Sequence, residues 1–530
     1  MLEKIIFVRP PFKGMTDYCP PHMGIACLYG ACKDFFGNNI DFELIDALPR
    51  KLSVEDVITQ IRLAKPTIVC LSIKTMQVGQ AIEIINALKN QNLFFICGGN
   101  HVSVEPQLFV ENGADFCIVG EGEYAIVEII YSILTRNQTY MNCKNVIASK
   151  NALNKILDRK PNSIYKFDLH KLSKINIGRP NWGIFKIDDY NENIHINKSI
   201  PALQVMASRG CPYKCSFCSS FLTWGTSVKY RSPEDVLNEI IDNICKYGIN
   251  HMHFYDDNLL LNRDWIIQFI RLIKEKNVSF SWICLSRPEI IYKNRDLLPE
   301  LKEVGCKGFE LGFETYSTDI YEKMHKKNSY DNFLAAYNEL VKNEFEMIEF
   351  LIMAFYIGET IESLFSTYQQ LEKFRKSGAL FEKSRYFATP FLGTEFYNIH
   401  DNEGHDLIGN NYYKYAVYLN YMPDSFLSST SDKLYIDENI FELNGFIYDG
   451  FDHIIYEDSN RELLERIPYR NFARLFNEQL SNRGTIQDIC DHISNVYNQF
   501  SAYAIEEYVG RMVEFAASCG ALKAHENTIL

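Results

Sequence analysis

Ser208-Arg209-Gly210-Cys211-Pro212-Tyr213-Lys214-Cys215-Ser216-Phe217-Cys218-Ser219 is the stretch that sets the reading of this chain. Three cysteines at CxxxCxxC spacing sit in a loop shaped by a Gly and a Pro. The loop directly follows residues 203–207, an apolar run of strand length. Closely spaced thiolates converge on one face of a metal group without long-range folding. A structural zinc ion takes four protein ligands, commonly as paired CxxC or Cys/His sets, and no second CxxC or nearby His supplies a fourth here. A [4Fe-4S] cluster usually takes four thiolates. Three leave one iron open to a ligand that is not protein, and such an iron can chelate a bound amino acid moiety and pass an electron into it. Zinc and chance spacing among the fifteen cysteines are the competing readings.

Downstream of the loop, strand-length runs recur at 251–255, 281–285, 308–311, 349–355 and 385–388, with helical stretches such as 233–246 and 263–275 between them. With 203–207 these make six strands alternating with helices, the pattern of an incomplete parallel (β/α) barrel. Upstream, runs at 4–9, 41–45, 68–73, 93–96 and 116–119 alternate with amphipathic stretches at 23–36, 54–64 and 81–90 and another from about 121. That alternation predicts a doubly wound, Rossmann-like parallel sheet with helices on both faces. From 137 to about 199 the pattern degrades into polar, Asn- and Lys-rich sequence with Pro161 and Pro180, which reads as a long connection. The C-terminal part is helix-patterned, most clearly at 460–479 and 486–518, and rich in Tyr and Phe. The expected fold class is therefore α/β, with a sheet domain at 1–140, a connection at 141–199, a barrel at 200–395 and a helical domain at 396–530.

The formal net charge of -13 disfavours non-specific nucleic-acid binding, and Lys and Arg cluster no further than short pairs such as Lys326-Lys327. No apolar run approaches the roughly 20 residues that span a bilayer. The N-terminus runs straight into a strand pattern without the regions of a signal peptide, so a cytoplasmic protein is expected. Its cysteines then read as reduced thiols, metal ligands or core residues. Cys70, Cys97 and Cys117, in apolar strand-like runs, read as buried thiols.

The cysteine segment resembles the signature of the radical S-adenosylmethionine (radical SAM) superfamily, CxxxCxΦC with Φ aromatic, and Phe217 fills the aromatic position. The resemblance implies a [4Fe-4S] cluster on Cys211, Cys215 and Cys218, with Phe217 against the adenine of S-adenosylmethionine. It also implies a partial (β/α)6 barrel. Later strand ends carry further matches. Asp256 or Asp257 is the candidate contact to the methionine amino group, against a plain helix cap or turn. Arg287 suits a carboxylate, against a salt bridge. Phe309–Thr315 resembles the family's Gly-x-Glu-Ser segment, with Glu310 and Glu314 as acidic candidates and Glu314 aligned with the contact near the ribose. Residues 355–360 and 389–394 resemble the fifth- and sixth-strand segments, although Phe355 and Ile357 stand where Gly and Pro are expected.

The N-terminal sequence resembles the cobalamin-binding domain found ahead of the barrel in one large radical SAM subfamily. The matching pieces are Pro20–Ala26, Leu44–Asp46, Leu71–Thr75, Gly98–His101 and Gly120–Glu123. Most fall at strand ends, where a doubly wound sheet binds ligands. The implied cobalamin residues are Asp46, Ser72, Thr75, Gly98, Gly99, His101, Gly120 and Glu121. The Asp-x-His-x-x-Gly motif that supplies a cobalt-ligating histidine is missing, since Asp46–Lys51 contains neither His nor Gly. The alternative is a vestigial domain of the kind seen in methylthiotransferases, which place an auxiliary cluster on N-terminal cysteines. Here Cys19, Cys27 and Cys32 fall on a loop and a helix.

The resemblance implies a cobalamin-dependent methyltransferase. A 5′-deoxyadenosyl radical takes hydrogen from an unactivated carbon of a small-molecule or peptide substrate, and cobalamin, recharged by a second S-adenosylmethionine, supplies the methyl. Relatives of this layout also cyclise, rearrange rings or oxidise without methyl transfer. A non-catalytic cluster and corrinoid sensor is the alternative of another class. A reductant such as flavodoxin or ferredoxin is the expected partner. Residues 412–418, rich in Tyr, suit either an aromatic pocket or core packing. No residue is assigned as a catalytic acid or base.

Overall fold

The computed structural model describes residues 2–11, 19–159, 167, 178–190, 201–326, 329–354, 356, 358, 363, 366–367, 370–371, 373–374, 382–388, 390–402, 435–436, 472, 474–477, 486–496, 505, 509 and 522–523. The chain forms two compact units. The first comprises 1–309, 339–347 and 390–416, and the second 310–338, 348–389 and 417–530.

The first unit opens with the alternation expected from the sequence. β1 (Glu3–Arg9), α1 (Met23–Phe36), β2 (Ile40–Asp46), α2 (Val54–Ala64), β3 (Ile68–Ser72), α3 (Val78–Leu88), β4 (Phe94–Gly98), α4 (Asn100–Val104), α5 (Pro106–Asn112), β5 (Phe116–Ile118) and α6 (Glu123–Thr135) follow one another. The sheet order is β2-β1-β3-β4-β5, all parallel. Strand residues Ile6, Val8, Val69, Leu71, Phe95 and Cys97 are buried with Val57 and Ile61 of α2 and with Ala81, Ile84 and Ile85 of α3. On α1, Phe35 packs edge-on against Tyr131 of α6. α2 starts where the sequence supplies a capping box, Ser53 with Asp56.

One strand lies where the sequence reads as connection. β6 (Val146–Ala148) adds to β5 as an antiparallel edge, followed by α7 (Ala152–Asp158). Three residues are too few to display a period. Tertiary contacts place the strand instead, with Asn145 Nδ2 donating to the carbonyls of Val119 and Glu121 at 3.1 and 2.8 Å. Cys70, Cys97 and Cys117 are buried free thiols, as their apolar surroundings required.

The second sheet is parallel and takes its strands in chain order. β7 (Leu203–Val205) is followed by a hairpin of β8 (Ser208–Arg209) and β9 (Lys229–Tyr230), with α8 (Ser220–Trp224) between them. α9 (Pro233–Tyr247), β10 (His251–Phe254), α10 (Arg263–Lys276), β11 (Ser281–Leu285), α11 (Pro288–Lys293) and α12 (Leu298–Glu303) complete the barrel elements of the first unit. β10 pairs with both β7 and β11. α9 and α10 have strongly amphipathic sequences, N-capped by Ser232 and Asn262.

β12 (Cys306–Glu314) runs from the first unit into the second. In the second unit β13 (Met347–Ala354) pairs in parallel with β14 (Glu382–Phe387), Phe333 and Tyr337 of α14 (Tyr330–Lys342) pack on Phe350 of β13, and Tyr321 of α13 (Thr318–Lys323) donates to the carbonyl of Phe313. Phe313, Phe333, Phe350 and Phe374 form an aromatic core there. Of the C-terminal region, the described elements are α15 (Glu395–Asn402), α16 (Ile486–Val496) and a two-residue antiparallel pair, β15 (Tyr435–Ile436) with β16 (Leu522–Lys523). The Tyr-rich stretch 412–418 lies outside the described residues. Among the described residues no helix is long and apolar enough to cross a membrane.

Candidate functional site

The cysteine loop follows β8, inside the β8–β9 hairpin, and is fixed by its neighbours. Gly210 has φ +98°, and a Cβ there would meet the Ser227 carbonyl at 2.7 Å, so only glycine fits this turn. Asp256, just beyond β10, clasps the start of the loop. Its carboxylate accepts from Ala207 N at 3.0 Å and from both the backbone N and the hydroxyl of Ser208 at 2.5 Å. Burial pushes its carboxyl up to about 6, against the pull of those donors. From the other side, Phe396 N donates to Ser216 O at 2.9 Å, and Thr394 caps the start of α15.

Each of the three sulfurs receives an N–H. Cys218 Sγ accepts from Ser220 N at 3.4 Å, and Cys211 accepts from the backbone of Tyr213. Cys215 Sγ accepts from the Arg287 guanidinium at 3.6 Å. Burial raises the Cys211 thiol and pushes that of Cys218 up to about 12. Binding iron therefore releases protons here. Asp257 accepts from Ser220 Oγ at 2.6 Å, and its charge acts on Cys211 and Cys218. Phe217 is half-buried within the loop. Among the described residues no group of three or more His, Cys, Asp or Glu side chains is gathered as ligands of a single ion. Ligands of a cluster each bind a different iron and stand farther apart.

A cavity of about 320 Å³ lies in the same unit, between the strand ends of the first sheet and those of the barrel. Arg9, Ser72, Gly98, Ile118 and Gly120 bring the ends of β1, β3, β4 and β5 to its wall, and Gln204, Met206, Arg209, Trp224 and Tyr255 close it from the barrel side. The β1/β3 position is the switch point of this strand order, where such sheets bind ligands. Gly99 has φ +110°, and a Cβ would meet Ile73 O at 2.6 Å.

His22 and Arg209 are among the cavity-wall residues that the sequence did not single out. His22 caps α1, with Nδ1 accepting from Ile25 N at 3.2 Å, so its proton sits on Nε2 toward Ser72 Oγ at 3.2 Å. Burial, with Arg9 and Lys74 nearby, holds its pKa well below the ordinary value, and the ring is neutral. Arg209 donates to Glu123 at 2.5 Å and stacks over Trp224 at 4.8 Å. Arg209 precedes the first cysteine by two positions, which was the one available signal.

The remaining sequence-singled residues lie as follows. Ser72, Gly98, Gly99 and Gly120 line the cavity. Asp46 is buried beside Arg9 at 3.5 Å and accepts from Tyr190 OH at 3.0 Å. His101 is buried in α4, with Nδ1 on Thr75 Oγ1 and Nε2 on Glu105, both at 3.2 Å. Glu121 pairs with Lys229 at 2.8 Å. None of Asp46, Thr75, His101 and Glu121 is part of the cavity wall. Glu314, in the second unit, has φ +58° and is bound by Lys326, which also donates to Gly312 O at 2.9 Å.

Family models match twice: the radical SAM superfamily over residues 205–371 and the B12 binding domain over residues 14–130. The chain carries a radical SAM domain and a B12 binding domain. It is 27% identical over 468 residues to an uncharacterized methyltransferase of Pyrococcus horikoshii, covering 84% of this chain and 96% of that one. It is 25% identical over 375 residues to the anaerobic magnesium-protoporphyrin IX monomethyl ester cyclase of Rubrivivax gelatinosus, covering 69% and 65%. The solved structure of the cobalamin-dependent S-adenosylmethionine radical enzyme OxsB, with aqua-cobalamin and S-adenosylmethionine bound, covers 98% of this chain and 84% of its own. Its TM-score is 0.58 at 13% identity, which shows a shared fold.

The residues present fit the groups that this radical SAM family implies. Three thiols, each with an N–H directed at its sulfur, suit a [4Fe-4S] cluster. A glycine-rich wall bearing Ser72, Asn100, Lys74 and Arg9 suits the amides and phosphate of cobalamin. Both nitrogens of His22 and of His101 are engaged, in keeping with the missing histidine motif.

Proposed function

We propose that this chain is a cobalamin-dependent radical SAM methyltransferase that methylates an unactivated carbon of a small-molecule or peptide substrate. The observation that carries the reading is the placement of the cysteine loop and the glycine-walled cavity in one compact unit, with Arg209 at the start of the loop and Trp224 of the following α8 both in the cavity wall. The matches to the two domains and to the archaeal methyltransferase support it.

When bound, the cluster supplies the electron that cleaves S-adenosylmethionine to a hydrogen-abstracting radical, and cobalamin carries the methyl group. Cys211, Cys215 and Cys218 would hold the cluster. Asp256 fixes the loop, while Asp257, Arg287 and Phe217 are the candidates to orient S-adenosylmethionine. Ser72, Gly98, Gly99 and Gly120 would receive the corrinoid, and Met206, Trp224 and Tyr255 would keep water from the cavity. A flavodoxin or ferredoxin in a reducing cytoplasm is the fitting electron source.

Anaerobic reconstitution tests this reading. The protein is expected to take up about four irons per chain, to retain cobalamin, and to form both 5′-deoxyadenosine and S-adenosylhomocysteine under reduction. Absence of 5′-deoxyadenosine from cluster-loaded protein would overturn it. The similarity to the cyclase favours a second reading without methyl transfer. In that case S-adenosylhomocysteine is absent and the product lacks the mass of an added methylene.

A further inference from the structure

Arg287 entered as a residue for the carboxylate of S-adenosylmethionine, but its closest functional contact is a sulfur. It lies just beyond β11 and is 7% exposed. Its guanidinium stacks 3.8 Å above the Tyr213 ring, donates to Glu289, and donates from Nη1 to Cys215 Sγ at 3.6 Å. Its backbone N donates to Asn258 Oδ1 at 3.3 Å, and Asn258 also accepts from Ser286 Oγ at 2.5 Å. The head group is thus held on one face by Tyr213, at one edge by Glu289 and at its root by Asn258.

Cys211 and Cys218 receive their N–H groups from the backbone of their own loop. The donor to Cys215 is a charged side chain from 72 positions away. The three sulfurs are therefore unequal. A cation at one ligand draws charge from that sulfur. It stabilises the reduced cluster, which carries one more negative charge, over the oxidised one. Hydrogen bonds to sulfur and local charge are recognised determinants of cluster potential.

We infer that Arg287 is a positioning residue that acts through Cys215 to raise the reduction potential of the cluster, with Glu289 opposing it. The inference rests on the cluster reading of the loop. Tyr213 and Glu289 hold the guanidinium on the sulfur before any substrate arrives, so the effect is present without S-adenosylmethionine.

The test is a redox titration of reconstituted protein, without and then with S-adenosylmethionine, for wild type, Arg287→Gln, Arg287→Lys and Glu289→Gln. Arg287→Gln is expected to lower the reduced-to-oxidised ratio at a fixed potential about tenfold, equivalent to ~59 mV for a one-electron couple. Arg287→Lys keeps the charge and is expected to restore most of that loss. Glu289→Gln is expected to shift the midpoint in the opposite direction, which decides the matter even if Arg287→Gln loads poorly. Midpoints equal to wild type in Arg287→Gln and Glu289→Gln, with only S-adenosylmethionine affinity reduced, overturn the inference and return Arg287 to the carboxylate. Wild-type protein that takes up no cluster overturns the reading on which the inference rests.

Discussion

Arg209 Nη2 donates to Glu123 Oε1 at 2.5 Å, and the two side chains are 3% and 7% exposed. They join the entrance of the cysteine loop to the first turn of α6, at the cavity wall. A buried pair of this kind contributes little net stability over an apolar pair, but breaking it leaves an uncompensated charge. Glu123→Ala is therefore expected to cost about 3–5 kcal/mol in denaturant unfolding. Glu123→Leu with Arg209→Met is expected to recover most of that loss and yet to weaken cobalamin retention. A double variant as unstable as the single one would show that the pair is not the cause.

The two adjacent aspartates should separate cleanly. Asp256→Ala strips the acceptor from two buried backbone N–H groups and a hydroxyl, and a loss of about 3 kcal/mol is expected. Asp257→Asn keeps the bond to Ser220 and should cost under ~1 kcal/mol, while raising the dissociation constant for S-adenosylmethionine. Thermal unfolding and equilibrium binding report the two effects independently.

Replacing Cys211, Cys215 or Cys218 with Ser should each abolish the cluster, read as iron and sulfide content and loss of the visible absorbance. Cys245→Ser is the control, since Cys245 is exposed on α9.

Gly99→Ala meets both a left-handed φ and a carbonyl oxygen at 2.6 Å. A loss of about 1–3 kcal/mol is expected, with cobalamin affinity reduced several-fold. Spectrophotometric titration with cobalamin measures the second effect.

His22 makes the stability of the apoprotein pH-dependent. The folded state keeps the ring neutral, whereas the unfolded chain protonates it near the ordinary value of 6.5. Below that value the unfolded state binds more protons, so stability falls as pH drops from about 7 toward 5. Protonation also removes the acceptor that caps α1. His22→Asn retains a capping side chain and should flatten that part of the profile, as followed by thermal midpoints across the pH range. An unchanged profile would show that other groups set it.

The alternation of the first sheet was legible because each element carries its own period and its own stops. Ser53 and Asp56 mark the start of α2 by themselves. β6 was not legible, because three residues cannot show a period and its place depends on Asn145 binding Val119 and Glu121. Among the site residues, Ser72, Gly98, Gly99 and Gly120 lie where strand ends meet the cavity, a position that follows from strand order. His101 in α4 and Asp46 at the end of β2 turn to Glu105, Thr75 and Arg9 instead. Only packing decides which way a side chain near a strand end faces.

By itself the sequence determined the spacing and local setting of the three cysteines. Three cysteines within eight residues, a turn built by Gly210 and Pro212, and a strand before them are local facts. Tertiary structure alone decided what surrounds those sulfurs. Asp256 rather than Asp257 clasps the loop from 48 and 49 positions away, Arg287 reaches Cys215 across 72, and Glu123 holds Arg209 across 86. Spacing and periodicity act over a few residues and survive in one dimension. Desolvated charge pairs exist only once the fold has brought distant segments together and removed the water between them.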